Sequence, residues 1–326
     1  MASRKVFISG GCGLVGSYLS RELLKRGYQV MCYDAYLNYI SPFISNYQHF
    51  LKERMKDLLE HKNLQIVRGD IRVQKRVHQI MGEFQPEVVV HLAALPSAKE
   101  STMYPTEALQ TNVDGTLSLL EGAKSCGSVK RFVFTSSSFV YGNFKTPLAD
   151  EEHPTQPIDV YGGTKLTGEI LTKSYAKAHG FEYVIVRPSA IYGFGDANRR
   201  VSQILIENAM AGKPLVLHGG GYSKIDFTYC TDAADGFLRC VEKPKAGNQT
   251  FNITRGNARM VREYAMEVKK LFPEAELVER EPDATRPERG TLVIEKARKL
   301  LDYNPKVDIE QGIEEYVRLL KERGPK

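Results

Sequence analysis

Tyr161 and Lys165 stand four residues apart in YGGTK, on a stretch whose spacing predicts a helix, so both side chains leave the same face. An ammonium held beside a phenol favours the phenolate and lowers the tyrosine pKa. Upstream, FVFTSSSFVYG ends an apolar strand on Ser136, Ser137 and Ser138, where a parallel strand opens at its carboxyl edge. A hydroxyl there can hold a substrate oxygen while the tyrosine moves its proton. These groups together suit oxidation and reduction of an alcohol beside a nicotinamide. The Tyr/Lys spacing occurs twice, however. Tyr141 and Lys145 form a second copy in YGNFKTP, where Gly142 and Pro147 predict a loop. Either pair taken alone is equally a surface tyrosine near a surface lysine, so the surrounding elements must decide.

Those elements begin at the amino terminus. KVFIS (residues 5–9) predicts a short apolar strand, and SYLSRELLKRGY a helix, with Val15, Leu19 and Leu23 at helical spacing. Between them, Gly10, Gly13 and Gly16 mark a strand-to-helix turn. Glycines there let a pyrophosphate approach the free N–H groups and positive dipole end of the helix. QVMCY predicts a second strand ending in Asp34, an acid able to accept both adenosine ribose hydroxyls and to repel a 2′-phosphate. That favours NAD over NADP; the alternative for Asp34 is an amino-terminal cap or a loop aspartate.

Residues 35–62 make a longer connection than usual, carrying Tyr36, Tyr39, Tyr47 and Phe50 and then a charged helical run, LKERMKDLLEH. LQIVR (64–68) resumes a strand that ends in GDIR, where Asp70 can read the adenine amino group or cap a helix. VVVHL is a buried-type strand leading to the small Ala93 and Ala94, and Asn112 follows in a helix. Strands at 131–136 and 182–187 complete an alternation that predicts a doubly wound parallel α/β (Rossmann) sheet. Beyond 187 the rhythm loosens, with helices near 203–211 and 261–271 separated by short strands and glycine turns, as in a smaller carboxyl-terminal substrate domain. The expected division is a dinucleotide-binding domain over 1–187 with later returns near 226–256, and a substrate domain mainly over 188–225 and 257–326.

Bulk properties narrow the class. The 326 residues, 42% hydrophobic, suffice for one large or two intimately joined domains. No run approaches the roughly 20 apolar residues of a membrane span. The chain enters a strand too soon to leave room for a signal peptide, so a soluble cytoplasmic protein is expected. Five scattered cysteines without a C-x-x-C pair predict free thiols and no metal site. The net charge of +6 is mild. The cluster of Lys296, Arg298 and Lys299 reads as a solvated helix face. No basic run with interleaved aromatics suggests nucleic acid, while a modest positive potential suits a small anionic substrate.

The assembled motifs resemble the extended short-chain dehydrogenase/reductase family, in its nucleotide-sugar epimerase and dehydratase branch. They are GGCGLVG, Asp34, GDI, HLAA, TNVDGT, TSSSFVYG, YGGTK, RPSAIYG, DFTYCTDAADG, FNIT and KARKLLDYNP. The resemblance implies NAD as cofactor, Tyr161 as catalytic acid/base, Lys165 as its pKa partner and ribose ligand, and Ser137 as the hydroxyl on the reacting oxygen. Tyr141 then falls in the structural YG of the strand end. It further implies cofactor contacts from Gly10, Gly13, Leu14, Val15, Gly16, Asp34, Asp70, Ile71, Leu92, Ala93, Ala94, Asn112, Thr135 and Pro188. Substrate contacts are implied for Lys99, Ser138, Phe139, Ala190, Lys224 and Arg286, with Arg289 a further phosphate ligand; Lys99 reads equally as an ordinary exposed lysine.

The family's 4,6-dehydratases carry an Asp-Glu pair directly after the hydroxyl residue, and its uronate decarboxylases a glutamate. Ser138 and Phe139 stand here instead, which leaves reversible oxidation without elimination. The insertion at 35–62 is similar to that of uronate 4-epimerases. Three positions depart from the family: Ala190 replaces an asparagine, Ile225 the arginine before DF, and Val293 an acid. A nucleotide sugar epimerised at C4 is the expected substrate. A net keto-sugar reductase or alcohol dehydrogenase and a non-catalytic dinucleotide-binding protein are the rivals. The leucine-bearing helices over 105–125 and 161–179 resemble those that pair across the family's homodimer.

Overall fold

A computed structural model describes residues 4–37, 46–282 and 287–325. Seven parallel strands form the central sheet: β1 (Lys5–Ser9), β2 (Gln29–Asp34), β3 (Leu64–Arg68), β4 (Val88–His91), β5 (Arg131–Thr135), β6 (Glu182–Pro188) and β7 (Gln249–Ile253). Their spatial order is β7-β6-β5-β4-β1-β2-β3. Consecutive side chains feed opposite faces, as the two-residue period of a strand requires. Val6, Ile8, Val30, Cys32, Val88 and Val90 join one core, whereas Phe7, Met31, Tyr33 and Val89 join the other. Apolar residues on both faces explain why VVVH reads as a continuous run.

Helices α1 (Leu14–Lys25) and α9 (Cys230–Glu242) cover the first face and pack on each other. The opposite face is covered by α3 (Gln74–Phe84), α6 (Gly115–Cys126) and α7 (Val160–His179). Between α3 and α6 run α4 (Ala98–Met103) and α5 (Pro105–Leu109). A single π turn, Gln110–Asp114, joins α5 to α6.

A third core belongs to the smaller carboxyl-terminal α/β region. It includes α8 (Val201–Met210), α10 (Val261–Leu271), α12 (Ile309–Arg323) and the parallel strand pair Leu215–His218 with Leu277–Arg280. The sheet-side helix α11 (Glu295–Leu301) packs near β7. Leu14 at the start of α1 and Phe50 also join this third core.

Two sequence expectations shift. The helix of the long connection is α2 (Asn46–Met55), which starts earlier and stops before the charged MKDLLEH stretch is complete. Its partners hold it in place: Glu53 binds Arg323 at 2.8 Å, His49 meets the Arg323 carbonyl at 2.7 Å, and Phe50 packs on Phe194. Tyr39 lies outside the described residues. Asn112 sits in the π turn and not in a regular α-helix.

Candidate active site

The strand order reverses between β1 and β4, and ligands of open α/β sheets bind at that point, beyond the carboxyl ends of the strands. A cleft of about 1830 Å³ opens there. That exceeds the roughly 300–1,000 Å³ of a single small-molecule site, leaving space for two ligands end to end. Gly10, Gly13, Leu14, Val15, Gly16, Asp34, Asp70, Ile71, Leu92, Ala93, Ala94, Thr135 and Pro188 all line it.

The glycine turn is tight enough to exclude side chains. Gly10 has φ +70°, and a Cβ there would lie 2.8 Å from the Ala93 nitrogen; one at Gly16 would lie 2.5 Å from the Gly10 carbonyl oxygen. At the α1 amino terminus Gly13 provides no side-chain cap and the first turn holds no acid, so its N–H groups face the cleft for an anion. Across the turn, Asp34 Oδ2 accepts from the Cys12 N–H and Oδ1 from the Tyr36 N–H, each at 2.9 Å. Burial raises the Asp34 pKa while those two bonds pull it back. An anion-accepting helix end and a fixed carboxylate one strand away fit a dinucleotide, and the carboxylate disfavours a 2′-phosphate.

Ser137, Tyr161 and Lys165 come together where β5 and α7 meet. Asp159 caps α7 by accepting from the Gly162 N–H at 2.8 Å, which starts the helix one residue before Tyr161. The three serines divide. Ser136 donates to Glu169 at 2.5 Å, the Ser137 hydroxyl accepts from the Phe139 N–H at 3.2 Å, and Ser138 accepts from Arg289 Nη1 at 3.4 Å. Phe139 stands edge-on to the Tyr161 ring at 5.6 Å, and the Arg289 guanidinium lies 4.7 Å from the Phe139 ring centre. Tyr141 is buried, with its hydroxyl donating to Asn252 at 2.8 Å, as a structural residue should be.

Burial raises the Tyr161 pKa, and the Ser137 hydroxyl and the Arg200 charge oppose that rise. Lys165 Nζ donates to the Thr135 carbonyl at 2.8 Å and lies 5.9 Å from the Tyr161 ring centre. Its own pKa is lowered to about 7 by burial.

Other predicted residues fall elsewhere. The Asn112 carboxamide is spent inside the protein: it accepts from the Leu95 N–H at 2.8 Å and donates to Thr164 at 3.0 Å. It is absent from the cleft lining and braces the start of α7. Asp70 reaches the cleft but its carboxylate is paired with Arg72 at 2.6 Å, and the residue capping α3 is Val73, so the cap reading fails. Lys224 is exposed on a two-residue strand whose alternation turns Ile225, not Lys224, into the cleft. Arg286 lies outside the described residues. Lys99, Ser138, Phe139 and Ala190 do line the cleft, as does Arg289. Ala190 holds φ +32°, a left-handed geometry that suits asparagine better than alanine. The cleft also gathers Arg54, Arg199, Arg200 and His218, none of which carries a local sequence signature.

Among the described residues no helix is long and apolar enough to cross a membrane, and no group of three His, Cys, Asp or Glu could hold a metal. All five cysteines are free thiols.

Comparison with known proteins adds an independent line. The profile described as "NAD dependent epimerase/dehydratase family" matches residues 6–254. A UDP-glucose 4-epimerase of Mycolicibacterium smegmatis is 27% identical over 330 residues, covering 98% of this chain and 99% of that protein. UDP-glucuronate 4-epimerase 1 of Arabidopsis thaliana is 27% identical over 333 residues, covering 96% of this chain and 76% of that protein. Among solved structures, UDP-glucuronic acid 4-epimerase from Bacillus cereus, in complex with UDP-glucuronic acid and NAD, superposes with a TM-score of 0.89. It is 27% identical, over 98% of this chain and 99% of that one.

Proposed function

Since the chain belongs to the NAD-dependent epimerase/dehydratase family, we propose that it epimerises a nucleotide sugar, at C4, through a transient 4-keto sugar. The observation that carries this reading is the convergence of Ser137, Tyr161 and Lys165 on one wall of the cleft, without a carboxylate placed for elimination. Of the acids that line the cleft, Asp34 is held by the Cys12 and Tyr36 N–H groups. Asp70 is held by Arg72, Glu100 by Ser97, and Asp159 caps α7. Ser138 and Phe139, directly after Ser137, cannot shuttle the proton that loss of water or of carbon dioxide requires.

NAD, when bound, supplies the acceptor and donor of a hydride. The protein's part is proton handling and orientation. The Ser137 hydroxyl holds the sugar oxygen, and Tyr161 Oη removes the hydroxyl proton as the carbonyl forms and returns it when the alcohol is restored. Lys165 is fixed under that wall by its bond to the Thr135 carbonyl. Turning the 4-keto sugar between the two half-reactions needs a substrate held mainly at its far end. Guanidinium groups suit phosphate and carboxylate oxygens, and Arg199, Arg200 and Arg289 all line the cleft. Residues 1–187, with returns near 226–256, are assigned to the cofactor, and 188–225 with 257–326 to the substrate.

The test is interconversion of two C4-epimeric UDP-sugars by the NAD-loaded protein without net change in absorbance at the NADH wavelength. Tyr161→Phe should lower turnover by at least about 10²-fold while NAD stays bound. Full activity of that variant, or stoichiometric NADH release by the wild type, would sink the proposal.

A further inference from the structure

Arg54 is buried, at 6% exposure, yet it lines the cleft together with Gly10, Gly13 and Leu14. It rides on α2, in the segment inserted after β2, and its guanidinium is only partly satisfied. Nη1 donates to the Gly195 carbonyl at 2.8 Å, while Nε has no hydrogen-bond partner among the described residues. A buried guanidinium N–H without an acceptor is costly, so the site implies an acceptor beyond the described residues.

The position of the side chain says which acceptor. A Cβ placed on Gly195 would lie 3.0 Å from Arg54 Cγ and 3.9 Å from Leu14 Cδ1, so the arginine stem runs beside the first residue of α1. On its other side the Arg54 charge acts on Asp34 and its guanidinium carbon lies 5.7 Å from the Tyr47 ring centre. Arg54 is thus bracketed by the helix terminus that takes an anion and the acid suited to a ribose. The group that spans those two points in a dinucleotide is the diphosphate.

We propose that Arg54 is a ligand of the cofactor diphosphate, closing it from the side opposite the α1 amino terminus and tying the inserted segment to cofactor binding. This rests on the dinucleotide reading of the cleft but not on the reaction proposed for it. A planar guanidinium gives two parallel N–H bonds to phosphate oxygens and is worth more in a dry cleft than at a surface.

The test is a binding measurement on the full chain stripped of nucleotide, comparing NAD, NADP, ADP and adenosine by calorimetry and competition. Arg54→Met, which keeps the stem, should weaken NAD and ADP roughly tenfold to a hundredfold and leave adenosine within about twofold. Arg54→Lys should recover part of the loss at low salt and become more salt-sensitive, because an ammonium acts there as a point charge. Equal losses for adenosine and ADP, or no loss for either, would overturn the assignment in favour of a purely structural tether to Gly195. An effect confined to NADP would overturn it in favour of a 2′-phosphate contact. If Arg54→Met fails to fold by circular dichroism, Arg54→Lys decides: a wild-type ADP-to-adenosine ratio and salt dependence would reject the proposal.

Discussion

At the level of single residues, the site is governed by who lowers the Tyr161 pKa. Burial pushes the phenol up, and the Ser137 hydroxyl and the Arg200 charge oppose that push. A group whose pKa is raised must lose its proton at higher pH, so the base-requiring limb of the kcat/KM profile moves alkaline when either opposing group is removed. Ser137→Ala and Arg200→Gln should each shift that limb upward, Ser137→Ala also lowering kcat because the reacting oxygen loses its partner. The measurement is kcat/KM against pH for the three proteins. A limb that stays in place in Arg200→Gln would show that its charge is screened from the phenol. Arg200 had no signature in the sequence because its effect depends on the loop after β6 bringing α8 over the cleft. Tyr161, Lys165 and Ser137 were readable because one strand end and one helix turn place them, and such local geometry follows the chain.

Elements explain both what the motifs revealed and what they concealed. Glu169 lies two turns beyond Tyr161 on α7 and is buried with Arg187, next to last in β6; their charged atoms meet at 2.8 Å. Ser136 adds a bond to Glu169, and the Tyr141 hydroxyl accepts from Arg187 at 3.0 Å. One buried ion pair therefore fixes α7, the end of β5 and the end of β6 relative to one another. Removing one partner of such a pair strands the other charge, so Glu169→Ala should cost about 3–5 kcal/mol of unfolding free energy. Urea denaturation checks this; a loss below about 1 kcal/mol would mean that water reaches Arg187 in the variant. The glycine turn, Asp34 and the strand ends were legible because backbone geometry dictates residue type there. Asn112 and Lys224 misled for the opposite reason. Whether a carboxamide faces a ligand or the Leu95 backbone, and whether Lys224 or Ile225 points inward, is set by packing between distant segments. Arg54 was hidden similarly: it belongs to an insertion whose helix is placed by Arg323 and Phe194, far along the chain.

On the scale of the whole molecule, one helical layer exposes several large apolar side chains. Helices α4, α5, α6 and α7 pack on one another, and they expose Met103 (57%), Tyr104 (54%), Leu109 (51%) and Ile170 (58%), with Leu117 partly exposed as well. Apolar side chains gathered on one helical layer mark an interaction surface more often than chance, and a second copy of the chain is the partner we propose. A two-fold axis would set α6 and α7 of one subunit against the same helices of the other, so that each exposed residue meets its own kind or a neighbour. Because α7 also carries Tyr161 and Lys165, and the π turn before α6 carries Asn112, the interface would stiffen the wall on which the chemistry rests. Wild-type protein should therefore sediment as a dimer at micromolar concentration. Leu117→Glu combined with Ile170→Glu should give a folded monomer with weakened turnover and unchanged near-ultraviolet circular dichroism. A wild-type monomer at that concentration, or a double variant that remains dimeric, would remove this face from consideration as the subunit contact.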